Sequence, residues 1–237
     1  MSNYLKMDSQ AGITDSFEDA ITPTEDLKSK LALLEQELKT LGEGGDPVAR
    51  IKLILSMGYI LIELGDRDRA WGLAHEALPT AIEHEEWLNT VEACDIIYLC
   101  EKDDAVMALA HGIWLGVTFP IDPELSVAML QHLVDETPDH SDGAALAAVT
   151  ASYIADLRCE ESKMREELMF FTSQLLGQVA RRHSQIEDQE VFDFWMERMG
   201  LDAPEKFLPK MANVLDLLVA DKWWFDRDAL RALIPTE

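Results

Sequence analysis

The chain has 237 residues, nearly half of them hydrophobic, which is enough to bury a sizeable core in one large or two small domains. Its 45 acidic and 20 basic residues give a formal charge of −25. A charge of this sign repels nucleic acid and anionic membrane surfaces, and it favours a basic protein or peptide as partner. Solubility alone is the alternative role for the charge.

Cysteine usage indicates a reducing compartment, because the three cysteines are an odd number and form no CxxC pair. The first ten residues are polar, unlike a secretory signal peptide. The longest strongly apolar run, 53–62, is about half the ~20 residues that a membrane helix needs. We therefore expect a cytoplasmic protein without a membrane segment.

The N-terminal residues divide into two predicted segments. Residues 1–23 are polar, acidic and weakly patterned, which predicts a flexible arm. Thr24 can cap a helix over 24–41, whose leucines are spaced alternately four and three residues apart. They form the seam of a short coiled coil: Leu27, Leu31, Leu34, Leu38 and Leu41. We expect this seam to pack on the rest of the chain, with a homodimer as the alternative, before a break at 42–47.

The remainder, 47–237, is predicted to be one all-helical domain. No stretch shows the sustained alternation of a strand, so the predicted fold class is all-α. We expect antiparallel helical hairpins over 47–158, followed by a C-terminal helical subdomain, a bundle, over 159–237. The predicted helices lie near 48–64, 67–78, 86–100, 103–117, 123–135, 142–158, 161–186, 188–199, 204–220 and 226–234.

Small residues recur over 49–117 at spacings that allow two helices to cross closely. The first set is Gly58, Gly65, Ala70 and Ala77 with Leu78, and a weaker set follows about 35 residues later at Ala93, Cys100, Ala105 and Gly112. This pattern resembles the tetratricopeptide repeat, a helical hairpin repeated about every 34 residues. A generic alanine-rich hairpin is the alternative. The resemblance implies peptide binding on the first-helix face, with Tyr59, Ile62 and Glu63 among the contacts.

Motifs for catalysis or metal binding are absent from the sequence. None of the six histidines has a carboxylate three residues before it, which excludes the Glu-x-x-His pairs of a di-iron bundle. Zincin, P-loop, dinucleotide and Gly-x-Ser-x-Gly patterns are also missing. We therefore expect a non-enzymatic protein without a metal or an organic cofactor. A helical enzyme with an unrecognised pocket is the alternative from another class.

The loop 135–140 ends in Pro-Asp-His and precedes an alanine-rich helix. It resembles the Glu-Pro-x-Asp-His loop of TorD-type chaperones, all-helical proteins of similar length that assist the maturation of redox enzymes. The resemblance implies that Asp139 and His140 contribute to handling a client enzyme or its leader peptide. A Pro-Asp turn that caps the next helix is the alternative.

Near the C-terminus, Trp223, Trp224 and Phe225 are three consecutive large rings, which cannot all face one side of a helix or strand. We expect at least one ring to be partly exposed and to anchor a partner or a second copy of the chain. Burial around a helix end is the alternative. Taken together, the sequence favours an adaptor, scaffold or assembly factor that binds a polypeptide, with a TorD-type maturation chaperone as the second hypothesis.

Overall fold

A computed structural model describes residues 17–42, 44–160, 163–220 and 222–234. Eleven helices and no strand occupy these ranges, which confirms the predicted all-α fold class. The helices are α1 (Phe17–Leu41), α2 (Pro47–Glu63), α3 (Arg67–Glu83), α4 (Trp87–Leu99), α5 (Ala105–Thr118), α6 (Pro123–Glu136), α7 (Asp142–Arg158), α8 (Lys163–Ser184), α9 (Gln189–Met199), α10 (Pro204–Val219) and α11 (Arg227–Arg231). In this part of the chain, no helix is both long and apolar enough to cross a membrane.

The first helix starts earlier than the sequence predicts. It begins at Phe17 rather than Thr24, so the end of the predicted arm is helical, while its residues 1–16 lie outside the described ranges. The polar segment before Thr24 lacks apolar periodicity, so its sequence does not predict that the helix extends into it. Local chemistry accounts for other helix ends: Asp122 caps α6, and Gly200 ends α9 with a left-handed φ of 66°.

Contacts divide the chain into an N-terminal unit that ends at Ala108 and a C-terminal unit that begins at Leu109. The boundary between the two units falls inside α5. The reason is the packing of α7, which contacts α6, α8 and α10. Helices α6 and α7 therefore belong with the C-terminal helices and not with the preceding hairpins.

In the N-terminal unit, α2 packs against α1, α3 and α4, and α3 also packs against α4. The core is formed mainly by aliphatic side chains of α2 and α4, which are at most 2% exposed: Ile51, Ile54, Leu55, Leu61, Ile96 and Ile97. Gly58 faces Ile96 so closely that an added Cβ would lie 2.8 Å from Ile96 Cδ1. The absence of a side chain at Gly58 therefore sets how closely α2 and α4 approach.

Ion pairs join residues 34 positions apart in this unit. Arg69 lies 2.5 Å from Glu35, and Arg67 lies 2.5 Å from Glu101. Lys102 pairs with Asp68, so the adjacent pairs at 67–101 and 68–102 have reversed charges. These side chains are substantially exposed, so each such pair contributes little to stability. Because the charges are reversed, the observed pairing of the two chain segments is favoured over a pairing shifted by one residue.

In the C-terminal unit, α7 is enclosed by its neighbours. Six alanines of α7 are at most 1% exposed: Ala144, Ala145, Ala147, Ala148, Ala151 and Ala155. Their small side chains allow α6, α8 and α10 to approach the α7 backbone closely. At the end of α7, Arg158 donates to the carbonyl oxygens of Gly116 and Val117 at 2.5 and 2.8 Å. This contact satisfies carbonyl groups in the last turn of α5.

We predict that replacing Gly58 or Ala70 with leucine will overpack the N-terminal unit. Ala70 is fully buried, and Gly58 has no room beside Ile96, so each change should cost about 1–3 kcal/mol of unfolding free energy. Thermal or urea unfolding measures the loss. Gly72→Leu is the matched control, because Gly72 is exposed and nothing lies within 4 Å of an added Cβ. Equal stability of Gly58→Leu and Gly72→Leu would contradict the close contact.

Candidate functional site

A groove of about 930 Å³ lies between α1 and α2 in the N-terminal unit. One face of each helix forms a wall, because the lining residues are spaced three and four apart. The α1 wall comprises Leu33, Gln36, Glu37, Thr40 and Leu41, and the α2 wall comprises Ala49, Lys52, Leu53 and Ser56. From residue 33 to 40, the α1 wall extends about 10 Å at ~1.5 Å per residue, or about two helical turns.

Helix α2 covers the leucine seam of α1 only partly. From Thr24 to Gly42 no side chain is fully buried, and all the seam leucines are half-buried against α2. Leu33 lies outside the seam and is 60% exposed. The heptad pattern assigned Leu31 and Leu34 to packing and left Leu33 unassigned. An apolar side chain just outside a heptad seam is the signal that could have located this groove.

The chemistry of the groove suits an amphipathic ligand. Its apolar part is formed by Leu33, Leu41 and Leu53, while Glu37 and Lys52 place opposite charges on the two walls. The hydroxyls in the walls are satisfied within their own helices: Thr40 donates to the Gln36 carbonyl at 2.9 Å, and Ser56 donates to the Lys52 carbonyl at 2.8 Å. The groove is therefore better suited to bind a ligand through apolar contacts than through hydrogen bonds to its hydroxyl groups.

Two of the predicted peptide contacts continue the α2 wall. Lys52, Ser56, Tyr59 and Glu63 are spaced four, three and four residues apart and share one helix face. Glu63 is exposed, and Ile62 lies half-buried at the side of this face. The Tyr59 hydroxyl donates to Asp95 Oδ2 at 3.0 Å, which ties α2 to α4. Tyr59 therefore has a packing role in addition to the predicted binding role.

The predicted client-handling residues, Asp139 and His140, lie in the turn between α6 and α7. His140 has a left-handed φ of 65°, and its Nδ1–H donates to the carbonyl oxygen of His183 at 2.7 Å. Asp139 Oδ1 lies 4.0 Å from Arg182 Nε. Both contacts fasten the turn to the last turn of α8. Ser141, and not Asp139, caps α7 by accepting from the Gly143 amide.

The three predicted aromatic anchors, Trp223, Trp224 and Phe225, are all half-buried. Their rings pack around His111 and Trp114 of α5, with centroid distances from 4.2 to 6.0 Å. Part of their cover therefore comes from a helix far upstream in the sequence. All three rings remain partly exposed.

Reactive groups in the described residues do not form a recognisable catalytic site. All three cysteines are buried and free, and burial raises the pKa of the Cys100 thiol to about 11, so it is protonated at neutral pH. Asp104 accepts from Trp71 Nε1 at 3.0 Å and lies 2.8 Å from His75 Nε2, a partly exposed cluster that the sequence did not indicate. Across the described ranges, no group of three or more His, Cys, Asp or Glu side chains is placed to hold a metal ion.

Comparison with known proteins found no matching family model, no matching curated protein and no matching solved structure. The basis for assigning a function is therefore the site itself. Fold and site together define an all-α protein with an open, mainly apolar groove between two helices.

We predict that Tyr59→Phe lowers the free energy of unfolding by about 1–3 kcal/mol, because a buried carboxylate loses a hydrogen-bond donor. Asp95 is only 4% exposed, so water does not readily replace the lost hydroxyl. Tyr153→Phe is the control: the Tyr153 ring packs on Phe207, and its hydroxyl has no hydrogen-bond partner among the described residues. Urea unfolding of both variants tests the contact, and a similar loss in both would rule it out.

Proposed function

We propose that this protein is a non-enzymatic binding protein, an adaptor, scaffold or assembly factor, that holds an apolar helical segment of a polypeptide partner in the α1–α2 groove. The observation that carries the proposal is the 60% exposure of Leu33 beside a leucine seam whose side chains are not fully buried. We also propose a cytoplasmic location, in keeping with three free thiols.

The dimensions of the groove support a helix as the occupant. Walls of about two turns match the i, i+3, i+4 and i+7 anchor pattern by which amphipathic helices bind grooves. Each leucine moved from full exposure to full burial would contribute about 1.5–3 kcal/mol, so burial of Leu33 and two or three partner side chains would offset part of the free-energy cost of association. Opposite charges at Glu37 and Lys52 would favour one orientation of the bound helix.

The charge of the chain supports a basic flank on the partner. The α2 face continues beyond the groove to the exposed Glu63, and the whole chain carries a formal charge of −25. A partner helix whose end carries lysine or arginine would be attracted along this face. An acidic partner would be repelled, so the charge would contribute specificity as well as affinity.

Two contacts support the proposal that the helices α2 to α5 are tetratricopeptide-like pairs. Ion pairs join positions 34 residues apart, the period of that repeat. Gly58 occupies a close crossing with Ile96, as a small residue does in such pairs. On this proposal the α2 face with Tyr59, Ile62 and Glu63 belongs to the ligand-binding side.

We predict that Leu33→Glu abolishes capture of the partner without changing stability. The new carboxylate would be buried against an apolar helix, and we expect at least about a tenfold loss of bound partner. Tagged wild-type and variant proteins are incubated with native extract, and retained proteins are quantified by mass spectrometry. Leu217→Glu is the control, since Leu217 is 81% exposed on α10 and does not line the groove.

Two results would contradict the proposed function. One is that Leu33→Glu and Leu217→Glu retain the same proteins in the same amounts. The other is that the wild type retains nothing above an unrelated acidic protein of similar size. A retained protein then has to bind directly in purified form, and cross-linking must map the contact to a segment with apolar residues at helical spacing.

We predict that affinity for the purified partner falls as salt is raised. The screening length shortens from about 10 Å at 0.1 M to about 3 Å at 1 M ionic strength, which weakens attraction between the acidic surface and a basic flank. Isothermal titration calorimetry across this range measures the effect. An affinity that does not change with salt would leave the groove as the binding site and assign the negative charge to solubility.

A further inference from the structure

A smaller cavity, of about 360 Å³, lies in the C-terminal unit between α7, α8 and the start of α9. Its floor is apolar, since Leu176, Ala180 and Ile186 line it and are at most 8% exposed. The chain turns at Gln185, which has a left-handed φ of 55°, and Phe192 of α9 adds an aromatic wall. The volume lies within the range of about 300–1,000 Å³ that is typical of small-molecule sites. We refer to this cavity as the α8–α9 pocket.

Gly177 lines this pocket from the middle of α8, where glycine is less favourable than alanine. Packing does not require a glycine at this position. An added Cβ would lie 3.6 Å from Arg181 Nη1, an ordinary contact distance, and among the described residues it would meet only that guanidinium within 4 Å. By contrast, an added Cβ at Gly58 would lie 2.8 Å from Ile96 Cδ1. The missing side chain at Gly177 therefore opens the pocket and lets a ligand approach the backbone of α8.

Two charged side chains of the α8–α9 pocket are available to a ligand. Four of the six polar side chains that line it are engaged in hydrogen bonds within the protein: Ser152, Ser173, Asp188 and Gln189. The other two are those of Arg181 and Glu187, which are exposed and form no hydrogen bond or ion pair with a described residue. Because they are not paired with each other, a positive and a negative charge at the rim both remain for a ligand.

Arg181 differs in this respect from most arginines of the chain. All ten arginines lie in the described ranges, and eight of them bond to a carboxylate or to a backbone carbonyl oxygen. The two without such a partner among the described residues are Arg181 and Arg198, and Arg198 does not line the pocket. A guanidinium binds a carboxylate through two parallel hydrogen bonds, so Arg181 is suited to a ligand with a carboxylate group.

We propose that the α8–α9 pocket binds a free α-amino acid with an apolar side chain. Arg181 binds the carboxylate of this ligand, Glu187 binds its ammonium group, and its side chain lies on the apolar floor beside Gly177. A peptide terminus offers only one of these two charges. The formal charge of −25 repels an anionic ligand, whereas an amino acid is a zwitterion without net charge. The site does not depend on the α1–α2 groove, whose residues belong to the N-terminal unit.

Isothermal titration calorimetry of the full chain with L-leucine, L-methionine and L-phenylalanine tests the proposal. We expect at least one of them to bind with a dissociation constant of about 1 mM or lower. L-Glutamate should bind at least about tenfold more weakly, because its side-chain carboxylate would be desolvated on an apolar floor. Absence of binding by all three apolar amino acids, or equal binding of glutamate, would overturn the proposal.

Two derivatives of the amino acid that binds separate the roles of its two charges. The amide lacks the carboxylate that Arg181 binds, and the N-acetyl derivative lacks the ammonium group that Glu187 binds. Each derivative should bind at least about tenfold more weakly than the free amino acid, because a charge-assisted contact is lost. Undiminished affinity of either derivative would indicate a ligand with one charge, such as a peptide terminus, and would overturn the assignment to a free amino acid.

Substitutions locate the site. Arg181→Gln should weaken binding at least about tenfold, whereas Arg198→Gln, the matched control, should leave it unchanged. Gly177→Leu should abolish binding by filling the pocket, and circular dichroism and thermal unfolding check that this variant is folded. Full binding by folded Gly177→Leu, or equal affinities of the two arginine variants, would overturn the proposal. If Gly177→Leu fails to fold, the two arginine variants still decide the question, because both arginines are exposed.

Discussion

Close approach of helices at small residues is the constraint on which the rest of this structure depends. In the C-terminal unit the alanine face of α7 brings three neighbouring helices against one backbone, and in the N-terminal unit Gly58 does the same for α2 and α4. Small side chains bury little area each, so the free energy comes from many short contacts along the helices. A single added side chain at such a crossing disturbs the packing along the whole helix pair.

This mode of packing leaves tryptophan rings at the edges of the core, where their indole N–H groups need hydrogen-bond acceptors. Trp71 donates to Asp104, and Trp223 donates to Asp216. Aspartates also cap five of the described helices through their side chains: Asp46, Asp66, Asp122, Asp188 and Asp226. Carboxylates at helix N-termini are stabilised by the helix dipole. Part of the acidic excess is therefore structural, and only the remainder is available for solubility or for attracting a basic partner.

The sequence was sufficient where the deciding chemistry is local. Helical periodicity established the fold class, and the caps at Asp122 and Asp226 and the stop at Gly200 depend on residues adjacent in the sequence. The sequence was insufficient where the deciding contact joins residues that are far apart in the chain. His111 and Trp224 are 113 positions apart, and neither residue carries a local sign of the other. The exposure of Leu33 likewise depends on which side of α1 is covered by α2, and a heptad pattern alone does not report that.

The two candidate functional elements, α1 and the C-terminal segment, have the same physical character. The α1 leucine seam is only partly buried, and the C-terminal segment is held by the aromatic cluster together with contacts from Trp223 and Arg227 to Asp216 of α10. Elements with few fully buried contacts open at low free-energy cost, and binding elements are drawn from this class. Substitutions at exposed Leu33 should therefore change binding more than global stability. Substitutions at Gly58 or on the alanine face of α7 should do the reverse, because those positions hold the units themselves together.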